Sequence, residues 1–167
     1  DRCPLIAGTK ANRGCPAEDR DGDGIPDDKD RCPLIPGSKS NQGCPEVLKE
    51  ASMIVTSAFN NLEFENGKAL IKANSYASLN KLAALLNSNQ ELHLIIAGHT
   101  DNVGNPAKNM SLSRDRAQAV ASFLVDSGIN EERLEIEWFG QSKPVESNAT
   151  PNGKKKNRRV ELTLIFE

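Results

Sequence analysis

The opening segment of the chain, residues 1–45, is a duplication. Asp1-Arg2-Cys3-Pro4-Leu5-Ile6 recurs as Asp30-Arg31-Cys32-Pro33-Leu34-Ile35, and Asn12-Arg13-Gly14-Cys15-Pro16 recurs as Asn41-Gln42-Gly43-Cys44-Pro45. A regular period of this kind marks a repeat array, not a globular core. Large apolar residues are few here, while Gly, Pro, Asp and Lys dominate. Hydrophobic burial alone does not hold such a segment together. All four cysteines of the chain fall within it, evenly spaced, which points to disulfides in an oxidising compartment. Four cysteines allow more than one connectivity. The simplest pairs Cys3 with Cys15 and Cys32 with Cys44, each bridge closing one copy and contributing about 3 kcal/mol in the chain-entropy picture.

A second source of order lies between the copies, in Asp19-Arg20-Asp21-Gly22-Asp23-Gly24-Ile25-Pro26-Asp27-Asp28-Lys29-Asp30. Acids at alternate positions followed by Gly let the backbone turn tightly around a hard cation, with carboxylates and one carbonyl, that of Ile25, as ligands. Without a cation, so many acids in one short loop repel one another. The opening matches an EF-hand loop, but Asp30 stands where that loop needs Glu, and Cys-Pro stands where its exiting helix begins. The pattern Asp-x-Asp-x-Asp-Gly-x-x-Asp-x-x-Asp-x-Cys-Pro from Asp19 to Pro33 resembles the thrombospondin type 3 repeat. That resemblance implies bound calcium, little regular backbone, and Asp19, Asp21, Asp23, Asp27 and Asp30 as ligands. Asp1 stands where Asp30 does, so a further repeat is expected to precede the chain.

From Glu46 to Glu167 the apolar pattern becomes that of a folded domain. Val47, Leu48, Ala51, Ile54, Val55 and Ala58 predict a helix to about Phe59, and Leu62 and Phe64 predict a short strand. Tyr76, Leu79, Ala83 and Leu86 place a helix over about Ser75–Asn87. Leu92–Ala97 reads as a buried strand, and Asn105-Pro106 as an N-cap followed by proline at the first helical position. That helix is expected to run to Gly128. Leu134, Ile136 and Trp138 alternate with Glu135, Glu137 and Phe139 as a half-buried strand. A polar loop then leads to a last strand, Val160–Phe166. The order βαβαββ implies an α/β (α+β) sandwich, a small mixed sheet with helices on one face.

One residue conflicts with the pattern of the long helix. Leu112, Val120, Phe123 and Leu124 form its apolar face, Asn109 lies on that face, and Arg116 stands in the middle of it. A guanidinium aimed at a core is costly unless a carboxylate or a ligand receives it, and Asp101 is the nearest acid by sequence. The motif Gly98-His99-Thr100-Asp101…Asn109…Leu112-Ser113-x-x-Arg116-Ala117-x-x-Val120, with Gly140-Gln141-Ser142-Lys143-Pro144 and Asn157-Arg158-Arg159-Val160-Glu161, resembles the OmpA-like peptidoglycan-binding domain. The resemblance runs from about Leu62 to the C-terminus. It implies that the ligand is the peptide stem of peptidoglycan, held through diaminopimelate. Asp101 would then take the ammonium and Arg116 the carboxylate, with Thr100 and Asn109 adding neutral hydrogen bonds and Arg159 touching the ligand or bracing the site. Gly67 stands where some relatives place a polar contact.

Calcium repeats joined to such a domain resemble outer-membrane porin-like proteins. The expectation is a chain on the periplasmic side of the outer membrane, joined to it through a preceding β-barrel. A net charge of -2 argues against nucleic acid or an anionic membrane as the main partner. No apolar run reaches the roughly 18 residues that a bilayer span requires. No nucleophile–base set is evident, His99 reads as structural, and an enzyme is not expected. The competing reading is a calcium-dependent structural or adhesion module without wall binding.

Overall fold

The computed structural model describes residues 15–166. The chain forms two compact units, Asp1–Ala51 and Ser52–Glu167.

In the first unit the described residues hold little regular structure beyond a 3-10 turn at Lys39–Asn41 and the start of helix α1, Glu46–Asn61. The acids organise the backbone instead. Asp19 accepts from the amides of Gly22 (2.8 Å) and Gly24 (3.0 Å), and Asp23 accepts from Ile25 (2.8 Å) and Gly37 (3.0 Å). Gly22 and Gly24 sit at φ 77° and 86°, in the left-handed region that glycine enters without strain. A disulfide joins Cys32 to Cys44 with Cα atoms 5.1 Å apart. The expected Cys3–Cys15 bridge lies outside the described residues.

In the second unit three strands form a mixed sheet in the order β2-β1-β3. Central β1 spans Leu92–His99, β2 spans Leu134–Gly140 and β3 spans Val160–Phe166. β1 runs parallel to β2 and antiparallel to β3. Leu92, Leu94 and Ile96 of β1 are wholly buried, as a central strand requires. The core is completed by Leu79, Leu82 and Leu86 of α2, Tyr76–Ser88, and by Ala117, Val120 and Leu124 of α3, Pro106–Asp126.

The expected first strand survives only as an isolated bridge between Phe64 and Ile71. The polar loop before β3 contains a short helix, α4, over Pro151–Asn157. It has no apolar stripe to betray it. Thr150 caps it by accepting from the Gly153 amide (3.0 Å), and Pro151 opens it. Asn157, fully buried, then ties the preceding loop down through the amides of Val145 and Glu146 and the Glu146 carbonyl.

Candidate functional site

Close approach of α3 to the sheet builds the site. Asn105 accepts from the amides of Ala107 (2.9 Å) and Lys108 (3.2 Å), so the helix starts as its Asn-Pro pair predicts. Its buried side is made of Asn109, Ser113, Arg116, Ala117, Val120, Ala121 and Leu124, turned slightly from the expected stripe, with Leu112 and Phe123 only half-buried. Small residues face the strand ends. A Cβ on Gly98 would overlap the Ser113 carbonyl, and Ser113 Oγ accepts from the Gly140 amide (3.0 Å). The first turns of α3 are thereby brought beside the loop that follows β1.

That loop carries Thr100 and Asp101, both buried. Thr100 donates from its amide to Gly140 (2.8 Å) and from Oγ1 to the Asp101 carbonyl (2.9 Å). Asn109 donates to the carbonyls of Asp101 (3.3 Å) and Val103 (3.1 Å) and to Gln141 Oε1 (3.0 Å). Both side chains therefore brace the Asp101 loop from within.

Asp101 and Arg116 do not bond to each other. Asp101 Oδ1 accepts from the Val103 amide (3.0 Å), and Oδ2 accepts from Nη1 of Arg158 at 2.6 Å. Arg116, 6 % exposed, donates from Nε to the Lys68 carbonyl (3.0 Å) and stacks over the Phe64 ring at 5.2 Å. Among the described residues no carboxylate reaches it at ion-pair distance. Burial, and next the neighbouring Arg158 charge, push its pKa below the usual arginine range, with Asp101 opposing them. The arrangement is one buried acid near two guanidiniums, of which one is paired.

Arg116, Arg158 and Arg159 line a groove of about 870 Å³. Its walls carry six cationic side chains against three glutamates, so the field inside favours an anion. Arg159 is the less available of the adjacent pair, since it donates to Glu161 Oε1 (2.6 Å) and to the Lys143 carbonyl (3.3 Å). Sequence reasoning singled out Arg159 and passed over Arg158. Backbone parity offered a signal, because Arg158 alternates in step with the buried Val160 and Leu162.

His99 lies under the site, 2 % exposed and stacked on Phe139 with ring centroids 5.2 Å apart. Among the described residues neither ring nitrogen has a hydrogen-bond partner, and Nε2 is 3.8 Å from Glu161. Burial first, then the charges of Arg159 and Lys143, lower its pKa to about 4 against a partial opposing pull from Glu161. The folded state thus prefers neutral imidazole. Its contribution is complete above the unfolded value near 6.5 and is lost as pH falls from there through about 4, a total of about 3 kcal/mol. Urea unfolding of the wild type and of His99→Phe at pH 7 and pH 4.5 checks this. The wild type should lose stability relative to His99→Phe at the lower pH, and a constant difference contradicts the assignment.

Residues 63–158 match the OmpA family. The chain belongs to the OmpA family. It is 34% identical over 118 residues to the probable lipoprotein YiaD of Escherichia coli, covering 71% of this chain and 54% of that protein. It is 39% identical over 107 residues to the peptidoglycan-binding protein ArfA of Mycobacterium tuberculosis, covering 64% of this chain and 31% of ArfA. The chain therefore spans about half or less of these curated relatives. The peptidoglycan-associated lipoprotein of Burkholderia pseudomallei has a similar structure, with a TM-score of 0.59 and 28% identity over 62% of this chain and 88% of that one. The matched residues include Asp101, Arg116, Arg158 and most of the groove lining.

Proposed function

We propose that this member of the OmpA family is a non-enzymatic anchor. It binds peptidoglycan non-covalently through the diaminopimelate of the peptide stem, on the periplasmic side of the outer membrane. The observation that carries this reading is Arg116, a buried guanidinium on a groove wall with no carboxylate among the described residues to neutralise it. A zwitterionic carbon supplies what is missing, a carboxylate for Arg116 and an ammonium for Asp101. The groove volume falls in the range of sites that hold a ligand larger than one amino acid, which suits a peptide stem. ArfA is a peptidoglycan-binding protein and the Burkholderia lipoprotein is peptidoglycan-associated, which supports the same class of ligand.

The N-terminal segment is, in this reading, a calcium-stiffened spacer of the thrombospondin type 3 kind. Carboxylate oxygens of Asp19, Asp21 and Asp23 lie within 4.8 Å of one another. Asp21 Oδ2 and Asp30 Oδ2 are buried without a hydrogen-bond partner among the described residues. Burial raises the Asp21 pKa, the Asp23 amide opposes it, and the charges of Asp23, Asp30 and Asp19 add to the rise, a repulsion that a divalent cation removes. These four acids are the ligands we assign, with the Ile25 carbonyl. Asp27 is turned away to Arg20 Nε (2.6 Å) and its backbone amide (3.0 Å), so its place in the set is the weakest.

Co-sedimentation with diaminopimelate-containing sacculi tests the anchor. Asp101→Ala should abolish pelleting with an unchanged circular dichroism spectrum, and undiminished pelleting sinks the site. Chelating calcium should loosen the N-terminal segment, read as faster proteolysis there, while wild-type pelleting persists. Loss of pelleting on chelation contradicts the spacer reading, and a wild type that does not pellet even with calcium favours the adhesion-module reading instead.

A further inference from the structure

Arg158 already occupies the oxygen of Asp101 that a ligand's ammonium needs. The pair is short, 2.6 Å, and lopsided, because the Asp101 side chain is 10% exposed and that of Arg158 is 43% exposed. Arg158 thus forms the outer layer of the site and has solvent and groove to move into. Resting on the anchor reading above, we propose that Arg158 determines specificity as a stand-in for the ligand's ammonium. It yields Asp101 only to a ligand that brings a carboxylate with its ammonium.

The physical reason lies in counting ion pairs before and after exchange. In the free site, Asp101 pairs with Arg158, and Arg116 waits without a carboxylate at bonding distance. A simple amine that took Asp101 would leave two guanidiniums without a carboxylate in one groove, each raising the cost of the other. A zwitterionic carbon takes Asp101 with its ammonium and offers its own carboxylate to both guanidiniums in the same step. For the amine the exchange keeps one pair and strands a second guanidinium, whereas for the zwitterion it adds at least one pair. Selectivity arises from a repulsive arrangement imposed on the wrong ligand together with the carboxylate that the right one supplies.

The two ligands that isolate this effect are diaminopimelate and 1,5-diaminopentane, the same carbon chain without its carboxylates. Calorimetric titration of the wild type should give diaminopimelate a preference of about 100-fold or more. In Arg158→Ala, diaminopimelate binding should weaken about tenfold while diamine binding strengthens, so that the preference collapses. Arg158→Lys keeps a displaceable cation and should preserve the preference within about threefold. Equal losses for both ligands in Arg158→Ala, or an unchanged preference, would show an ordinary contact and overturn the proposal. A wild type that binds no diaminopimelate overturns the anchor reading, and this inference falls with it. Binding that survives in Arg116→Met moves the zwitterion site elsewhere and also overturns it. Matching circular dichroism spectra across the variants confirm that folded proteins are compared.

Discussion

Arg133→Ala should unfold with about 3 kcal/mol less stability than the wild type, and melt roughly 10 °C lower. Arg133 is buried in the 3-10 turn that enters β2, and its fork is filled by carbonyls. Nε donates to Leu92 (3.1 Å), while Nη2 donates to Leu86 (2.8 Å), Asn89 (2.7 Å) and Leu92 (2.6 Å). Nη1 reaches Gln90 Oε1 (3.2 Å). These acceptors are the C-terminal end of α2 and the start of β1, where a helix leaves carbonyls unbonded and its dipole favours a cation. One side chain thereby closes α2 onto β1. Removing it strands several buried acceptors at once, which is more costly than the loss of one hydrogen bond. Arg133→Lys should recover only part of the loss, because a point charge does not fork. Urea denaturation is the check, and a loss below about 1 kcal/mol would contradict the role.

Arg116→Met is expected to behave in the opposite way. Binding to diaminopimelate should fall by about 100-fold or more, since two charged hydrogen bonds are removed together. Stability should not fall, and an increase of about 1 kcal/mol is the expected result. The substitution removes a desolvated charge that repels Arg158 and fills the space with a flexible apolar chain. Among the described residues, the Lys68 carbonyl bond, the contact with Phe64 and the attraction of Asp101 are lost. A structural arginine and a ligand-receiving arginine are thus told apart by the sign of the stability change. Arg133 and Arg116 are both buried, yet among the described residues the protein fills the whole fork of Arg133 and only Nε of Arg116.

The difference between those two arginines also shows where sequence reading works and where it stops. Arg116 was visible because it interrupts a 3.6-residue apolar period, and Asp101 because it follows a buried strand. The cap at Asn105, the central strand and the last strand were equally legible, since each is fixed by local pattern. Arg133 left no such trace, because its partners lie more than 40 residues earlier in the chain. Helix α4 escaped because capping and the buried Asn157 hold it, with no amphipathic stripe. The first strand was overestimated, since alternation of Leu62 and Phe64 with charged residues yields only a single bridge to Ile71. Thr100 and Asn109, expected to bond the ligand, lie beside Asp101 and bond its carbonyl, an arrangement that spacing alone does not show.

The choice between Arg158 and Arg159 turned on geometry in the same way. The two are adjacent, alike and part of one motif, yet Arg159 is committed to Glu161 and Arg158 to Asp101. The site is consequently a three-membered arrangement, one acid between two guanidiniums, instead of the simple acid–base clamp that spacing suggested.

A crystal soaked with diaminopimelate tests the central claim most directly. The account predicts density in the groove, with an ammonium on Asp101, a carboxylate on Arg116 and Arg158 moved off the Asp101 oxygen. Ligand density elsewhere, with the Asp101–Arg158 pair intact and Arg116 untouched, would contradict it.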